Sequence, residues 1–374
     1  MRVVHVIKVT GISGAERHLL TLLPALQARG MEMHLALLTE PDNPVNEFAQ
    51  AMQGGGITIH RFTIGHDADA RMAWRLRDLF YQLLPDIVHT HLLHADLYGI
   101  PGAKLAGVPV IITSRHNDNA FRRRFPVRQV NGGLWRMADA GIAISDSIAR
   151  FAREVEGAPA HKIHRIYYGL DFDPNAVDRG EARHALRHEL DLAEGTPIIG
   201  IVCRLVEQKG VLYGLRAFWQ IATASPAHLV IAGDGLLRDK LETEVQTLGI
   251  ADRVHFLGWR EDVPQLMAAF DIFLLPSLWE GFGLVLLEAM AQQTPVVASA
   301  VSAIPEIVAE GQTGLLVPPR NAEGLAGALL TLLNDLPLAR HMGLMGQERL
   351  ETTFSARTMI EATYRLYHDL LNSR

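Results

Sequence analysis

Short apolar runs alternate with helical-period segments along the whole chain. Runs rich in Val, Ile and Leu fall at 3–9, 34–38, 87–89 and 110–113. A second series falls at 198–203, 229–232, 254–256, 272–275, 296–298 and 315–317. They lack regular polar alternation, so each reads as a strand covered on both faces. Between them lie helical stretches, among them 16–28, 212–222, 284–293 and 322–333. This rhythm predicts parallel sheets in a doubly wound α/β fold. At 355–371 one helix face collects Met359, Ile360, Thr363, Leu366, Tyr367 and Leu370, and is expected to pack on a domain surface.

The rhythm restarts near residue 196. The charged stretch before it, 171–194, holds Pro174 and Gly180 and reads as a linker plus a leading helix. A length of 374 residues suits two cores better than one. Two Rossmann-like domains in tandem would enclose a cleft, with ligands at the carboxyl ends of the strands.

Composition narrows the classes. With 48% hydrophobic and 20% charged residues the chain is globular and not disordered. A formal charge of −6 argues against general nucleic-acid binding. The single cysteine, Cys203, forms no disulfide within the chain, which fits a cytoplasmic protein. It reads as a small buried hydrophobe. No apolar run reaches the ~18 residues that span a bilayer. The first eleven residues break at Lys8 and Gly11 and read as a strand, not a signal peptide. A soluble protein, or one bound at a membrane surface, is expected.

Three loops carry candidate chemistry. The segment Glu280-Gly281-Phe282-Gly283-Leu284-Val285-Leu286-Leu287-Glu288 follows a strand and the turn Pro276-Ser277. Its glycines allow close backbone approach. The helix starting near Leu284 directs free N–H groups and a positive dipole end at a ligand. Glu280 and Glu288 are placed to accept hydrogen bonds from sugar hydroxyls. The segment Cys203-Arg204-Leu205-Val206-Glu207-Gln208-Lys209-Gly210 sets Arg204 at a strand end and Lys209 in the following loop. An Arg fork and a Lys point charge suit a diphosphate. Gly11-Ile12-Ser13-Gly14-Ala15-Glu16-Arg17-His18 joins the first strand to the first helix, without the dinucleotide-binding spacing.

As a set these motifs resemble the retaining glycosyltransferases of family 4, over nearly the whole chain. Glu280 to Glu288 is similar to that family's E-x7-E motif. Arg204 and Lys209 resemble its R-L-x-x-x-K-G element, and Gly14-Ala15-Glu16 its amino-terminal G-A-E turn. Gly233-Asp234-Gly235, Phe256-Leu257-Gly258 and Gly314-Leu315-Leu316-Val317 resemble further landmarks. So do Ser145 and Gly169-Leu170-Asp171. Tyr168 departs from the pattern, which often has Asn there.

The resemblance implies a GT-B fold of two facing Rossmann-like domains with a cleft between them. Residues 1–171 would hold the acceptor and 172–354 the nucleotide sugar, with a helix over 355–374 crossing back. It implies that Arg204 and Lys209 bind the donor diphosphate, and that Glu288 holds the ribose. Glu280 would contact the transferred sugar beside the backbone N–H groups of Phe282, Gly283 and Leu284. Gly14 would meet the phosphates, and His116 would lie near sugar and acceptor. A retaining hexosyl transfer follows, from a UDP-sugar first or a GDP-sugar second, to a glycan, lipid-linked or small-molecule acceptor. The leaving phosphate itself would help remove the acceptor proton. Alternatives of the same architecture are a sugar-nucleotide epimerase or a phosphorylase; another is a non-catalytic sugar-nucleotide-binding module.

Other patterns compete for attention. The D-x-D pairs Asp67/Asp69 and Asp171/Asp173 carry little information alone, and no metal or other cofactor is expected to be required. His89, His91 and His94 are closely spaced at a strand end, with Asp96 near, and fit an acceptor-side or structural role better than a metal site. Arg115, Arg122, Arg123, Arg124 and Arg128 form a basic run with Phe121 and Phe125. That run suggests peripheral contact with anionic lipid on the inner face of a membrane. Trp259 and Arg260 are expected near the base, with core packing of Trp259 as the other reading.

Overall fold

The computed structural model describes every residue except 66–68 and 70. The chain divides into two compact units. One comprises 1–169 with 356–374, the other 170–355.

In the first unit the described strands are β1 (Arg2–Lys8), β2 (Glu32–Thr39), β3 (Thr58–Thr63), β4 (Ile87–His91), β5 (Val110–Arg115), β6 (Ala140–Ala143) and β7 (Ile163–Arg165). They form one parallel sheet in the order β3-β2-β1-β4-β5-β6-β7. In the second unit they are β8 (Ile198–Val202), β9 (His228–Ala232), β10 (Val254–Gly258), β11 (Ile272–Leu275), β12 (Val296–Ser299) and β13 (Gly314–Val317). Their order is β10-β9-β8-β11-β12-β13, again parallel. Both are doubly wound Rossmann-like sheets. The chain reverses its winding between β1 and β4, and between β8 and β11, and ligand sites lie beyond the carboxyl ends of strands at such points.

The apolar runs became strands because helices cover both faces of each sheet. In β1, Val3 and Ile7 join one apolar cluster, and Val4 and Val6 the cluster on the opposite face. The helix Ala356–Asn372 places Met359, Ile360, Leu366 and Tyr367 in the first of these. It therefore completes the first unit's core.

Three strands were not visible in the pattern, for separate reasons. β3 is a partly exposed edge strand in which Phe62 alone is buried. β6 is built of small residues, because the Trp135 ring fills the space over Gly141, where an added Cβ would lie 2.2 Å from it. β7 has three residues, none buried. The charged stretch before β8 contains the helix Arg179–Glu189, capped by the Asp178 carboxylate, which accepts from the Gly180 and Glu181 N–H groups.

Candidate functional site

In the second unit, the loops after β8 and β11 meet at the winding reversal. The Leu278 N–H donates to the Gln208 carbonyl at 2.8 Å. The Gln208 amide donates to the Trp279 carbonyl at 3.0 Å. Gly210 allows this approach: its φ is +60° and an added Cβ would lie 2.1 Å from the Pro276 carbonyl oxygen. Across the same seam, Lys209 Nζ lies 2.5 Å from Glu280 Oε1, which also accepts from the Ser277 hydroxyl at 2.8 Å. The Glu280 N–H donates to the Ser302 hydroxyl at 3.2 Å. Glu280 is buried and Lys209 half-buried. A carboxylate with two fixed donors is held in one orientation, ready to accept from a ligand through its remaining lone pairs.

Gly283 caps the helix Leu284–Ala291 in the left-handed region, at φ +99°. That frees the first-turn N–H groups at the carboxyl edge of β11. Phe282 is buried and stacks edge-on against Phe354 at 6.1 Å. Leu284 and Glu288 are half-buried, Glu288 one turn into the helix. Arg204 stands just beyond β8, exposed, with no side-chain hydrogen bond or ion pair among the described residues. Cys203 beside it is half-buried against the core, and burial pushes its thiol up to about 12, so it is no nucleophile. Trp259 is 69% exposed, which removes the core-packing reading. Arg260 is tied to Glu189 at 2.5 Å and Asp262 at 2.6 Å.

In the first unit, the loop after β1 opens the helix Gly14–Ala28. The Ser13 N–H and hydroxyl both donate to Glu16, at 3.0 and 2.6 Å. Gly14 is the first helical residue and half-buried. His116 follows β5, and both its ring nitrogens are engaged. Nε2 lies 3.0 Å from His91 Nδ1, and Nδ1 meets the Tyr168 hydroxyl. Burial holds His116, His89 and His91 well below the usual imidazole range, and His5 and His18 at about 3. His116 is thus a neutral ring, without a free nitrogen for proton abstraction in this arrangement.

The histidine grouping differs from the sequence expectation. His5, not His94, joins His89 and His91, with ligand atoms within 4.8 Å of one another. The parallel pairing sets His5 opposite His89, a proximity that only the fold creates. The ring nitrogens already bond to each other, to Tyr367 and to Ser114. The grouping therefore carries its own hydrogen-bond satisfaction without an ion.

The basic run needs correction. Arg115 and Arg122 are each 1% exposed and do not face solvent. Arg115 Nε and Arg122 Nη1 donate to the two oxygens of Glu156, at 2.6 and 2.8 Å. Asp96 takes a second Arg115 bond, and Trp135 donates to Glu156 at 2.8 Å. Buried cations persist only with such partners. Exposed members of the run are Arg123, Arg124 and Arg128, beside Phe121 and Phe125. Of the D-x-D pairs, Asp67 lies outside the described residues. Asp171 and Asp173 are exposed, and Asp173 caps a turn at Asn175.

A family model described as "Glycosyltransferase Family 4" matches residues 12–174, and one described as "Glycosyl transferases group 1" matches 196–335. The alpha-maltose-1-phosphate synthase of Mycolicibacterium smegmatis is 30% identical over 307 residues, 75% of this chain and 78% of the relative. The chain belongs to glycosyltransferase family 4. Over a longer span this glycosyltransferase is 28% identical to the N-acetyl-alpha-D-glucosaminyl L-malate synthase of Bacillus anthracis, covering 97% of the chain and 94% of the relative. Its fold is the GT-B type: HepE of Anabaena, solved with UDP, superposes with a TM-score of 0.88 at 23% identity, covering 99% and 100% of the two chains. Among the described residues no helix is long and apolar enough to cross a membrane.

Proposed function

We propose that this glycosyltransferase moves a hexosyl unit, with retention, from a UDP-sugar to a glycan, lipid-linked or small-molecule acceptor. The observation that carries the reading is the 2.5 Å Lys209–Glu280 contact, which joins the two loops at the winding reversal beside the Leu284–Ala291 helix start. Lys209 and the exposed Arg204 would meet the diphosphate. Glu280 would accept from the sugar, and Glu288 from the ribose. Negative charge builds on the leaving phosphate as the sugar bond breaks. Fixed positive groups there lower the barrier, each by ~3 kcal/mol. These groups supply the charge a metal would otherwise bring, so the reaction would proceed without one. Gly14 would meet the phosphates, and the neutral His116 would lie near the sugar.

UDP is favoured over GDP as the donor nucleotide. HepE was solved with UDP-glucose, and a relative from Escherichia coli, 30% identical over 264 residues, is named for UDP-Gal and a lipid-diphosphate acceptor. A thermal-shift screen of nucleotide sugars tests the reading, since a ligand that binds the folded state raises the melting temperature. UDP-sugars should raise it most, with or without EDTA. Lys209→Ala should abolish that shift and lower kcat roughly 10²-fold. Full activity in Lys209→Ala would overturn the assignment.

Exposed Phe125, at 75%, beside Arg123, Arg124 and Arg128 favours one addition: contact with anionic lipid at the inner face of a membrane. Flotation with anionic liposomes should fall when those three arginines become alanine, and unchanged flotation would end this reading. Arg122→Ala is unsuitable, because it would report on the buried charge network.

A further inference from the structure

One face of the first sheet carries an unbroken line of polar rings. Alternation along β4 puts His89 and His91 on the same face, and the strand pairing sets His5 beside His89 and Ser114 beside His91. The helix Ala356–Asn372 lays Tyr367 over them. The bonds run continuously. Ser114 Oγ lies 2.7 Å from His89 Nε2, and His89 Nδ1 lies 2.6 Å from the Tyr367 hydroxyl. That hydroxyl lies 3.2 Å from His5 Nε2, and His5 Nδ1 lies 2.8 Å from His91 Nε2. His91 Nδ1 then meets His116 Nε2 at 3.0 Å, and His116 Nδ1 meets the Tyr168 hydroxyl. All seven groups are buried.

A neutral imidazole has one N–H and one lone pair, and a phenol has one proton to give. Each link therefore fixes the next. His5, His91 and His116 are bonded ring to ring, so only two arrangements satisfy their bonds: all three carry the proton on Nδ1, or all three carry it on Nε2. Any mixture sets two lone pairs or two N–H groups face to face in a buried site.

We propose that Tyr367 is a positioning residue for sugar transfer, which through His5 and His91 locks the tautomer and ring plane of His116. Tyr168, where the chain departs from the family's frequent Asn, closes the line on the other side of His116. The proposal rests on the reading that His116 stands near the transferred sugar. It adds that the last helix governs that ring.

The test uses the full-length enzyme labelled with 15N-histidine, with His116 assigned from His116→Gln. In the wild type, nitrogen shifts should report His5, His91 and His116 as neutral rings sharing one tautomer. In Tyr367→Phe, which keeps the ring and drops only the hydroxyl, the His116 nitrogens should shift. Its kcat should fall roughly tenfold with donor KM little changed. Mixed tautomers among His5, His91 and His116 in the wild type would overturn the proposal. So would unmoved His116 signals, or a Tyr367→Phe enzyme that loses stability while keeping wild-type kcat. Failure of the reading that His116 stands near the sugar would show separately, as full transfer by His116→Gln, and the nitrogen shifts do not depend on that result.

Discussion

At the carboxyl edge of β8 and β11 the second unit keeps its charges close to water: Arg204 is exposed and Lys209 half-buried. On one face of β1 and β4 the first unit instead buries neutral rings, with His5, His89 and His91 all at 0% exposure. Six strands follow the same order in both units, so topology sets where a site lies but not what it does. An open cationic edge suits a ligand whose charge changes during reaction. A sealed neutral face offers a fixed wall, because its hydrogen bonds are already made among its own groups.

The largest expected effect follows from that burial. The folded-state pKa of His5, His18, His89, His91 and His116 lies below the ordinary 6.5, at about 3 for the first two. Unfolded, these groups titrate near 6.5. Below that pH the unfolded state binds more protons, so stability is complete above 6.5 and is lost as pH falls toward 3. Each group costs up to roughly 1.4 kcal/mol per pH unit in that window. The second unit's His228 and His255 are only partly buried and lowered less. Hydrogen exchange at pH 5.0 against 7.5 should therefore show the first unit opening while the second stays protected. Equal acid sensitivity of the two units would break the contrast.

A carboxylate in each unit sharpens it. Glu156 holds two buried arginines, whereas Glu280 holds one half-buried lysine. Glu156→Gln should cost about 3–5 kcal/mol in urea unfolding, the effect of stranding buried charge. Glu280→Gln should cost less there, roughly 1–3 kcal/mol, since it strands one partly exposed cation and not two buried ones. Its penalty should appear in transfer as well.

Much of the fold was legible because the decisive signals are local. The apolar runs at 272–275 and 296–298 and the helix starting at Leu284 follow from hydrophobic content and glycine placement within a few residues. The Lys209–Glu280 bond was not legible, because the sequence sets Lys209 against a diphosphate and Glu280 against a sugar, 71 positions apart. Arg122 misled because five arginines close in sequence look like one surface. Its partner Glu156 lies 34 positions away and becomes visible only when the sheet forms. His5 was missed for the same reason, its neighbour His91 being 86 positions distant. The H-x-H spacing at 89–91 was the available clue, since in a strand both rings must face one way.

The smallest expected effect concerns the two loop glycines. Gly283 holds φ +99°, and an added Cβ would lie 3.2 Å from the Leu286 side chain. Alanine there pays left-handed strain of about 1–2 kcal/mol, or relieves it by turning the helix start away from the ligand. Gly11, in the corresponding loop after β1, has open space around its Cβ position. Gly283→Ala should lower the melting temperature by a few degrees and raise the donor KM several-fold, while Gly11→Ala should leave stability unchanged. Equal loss of stability in both would mean that the two loops are equally constrained. The free N–H groups of the second unit would then no longer be the feature that its backbone strain maintains.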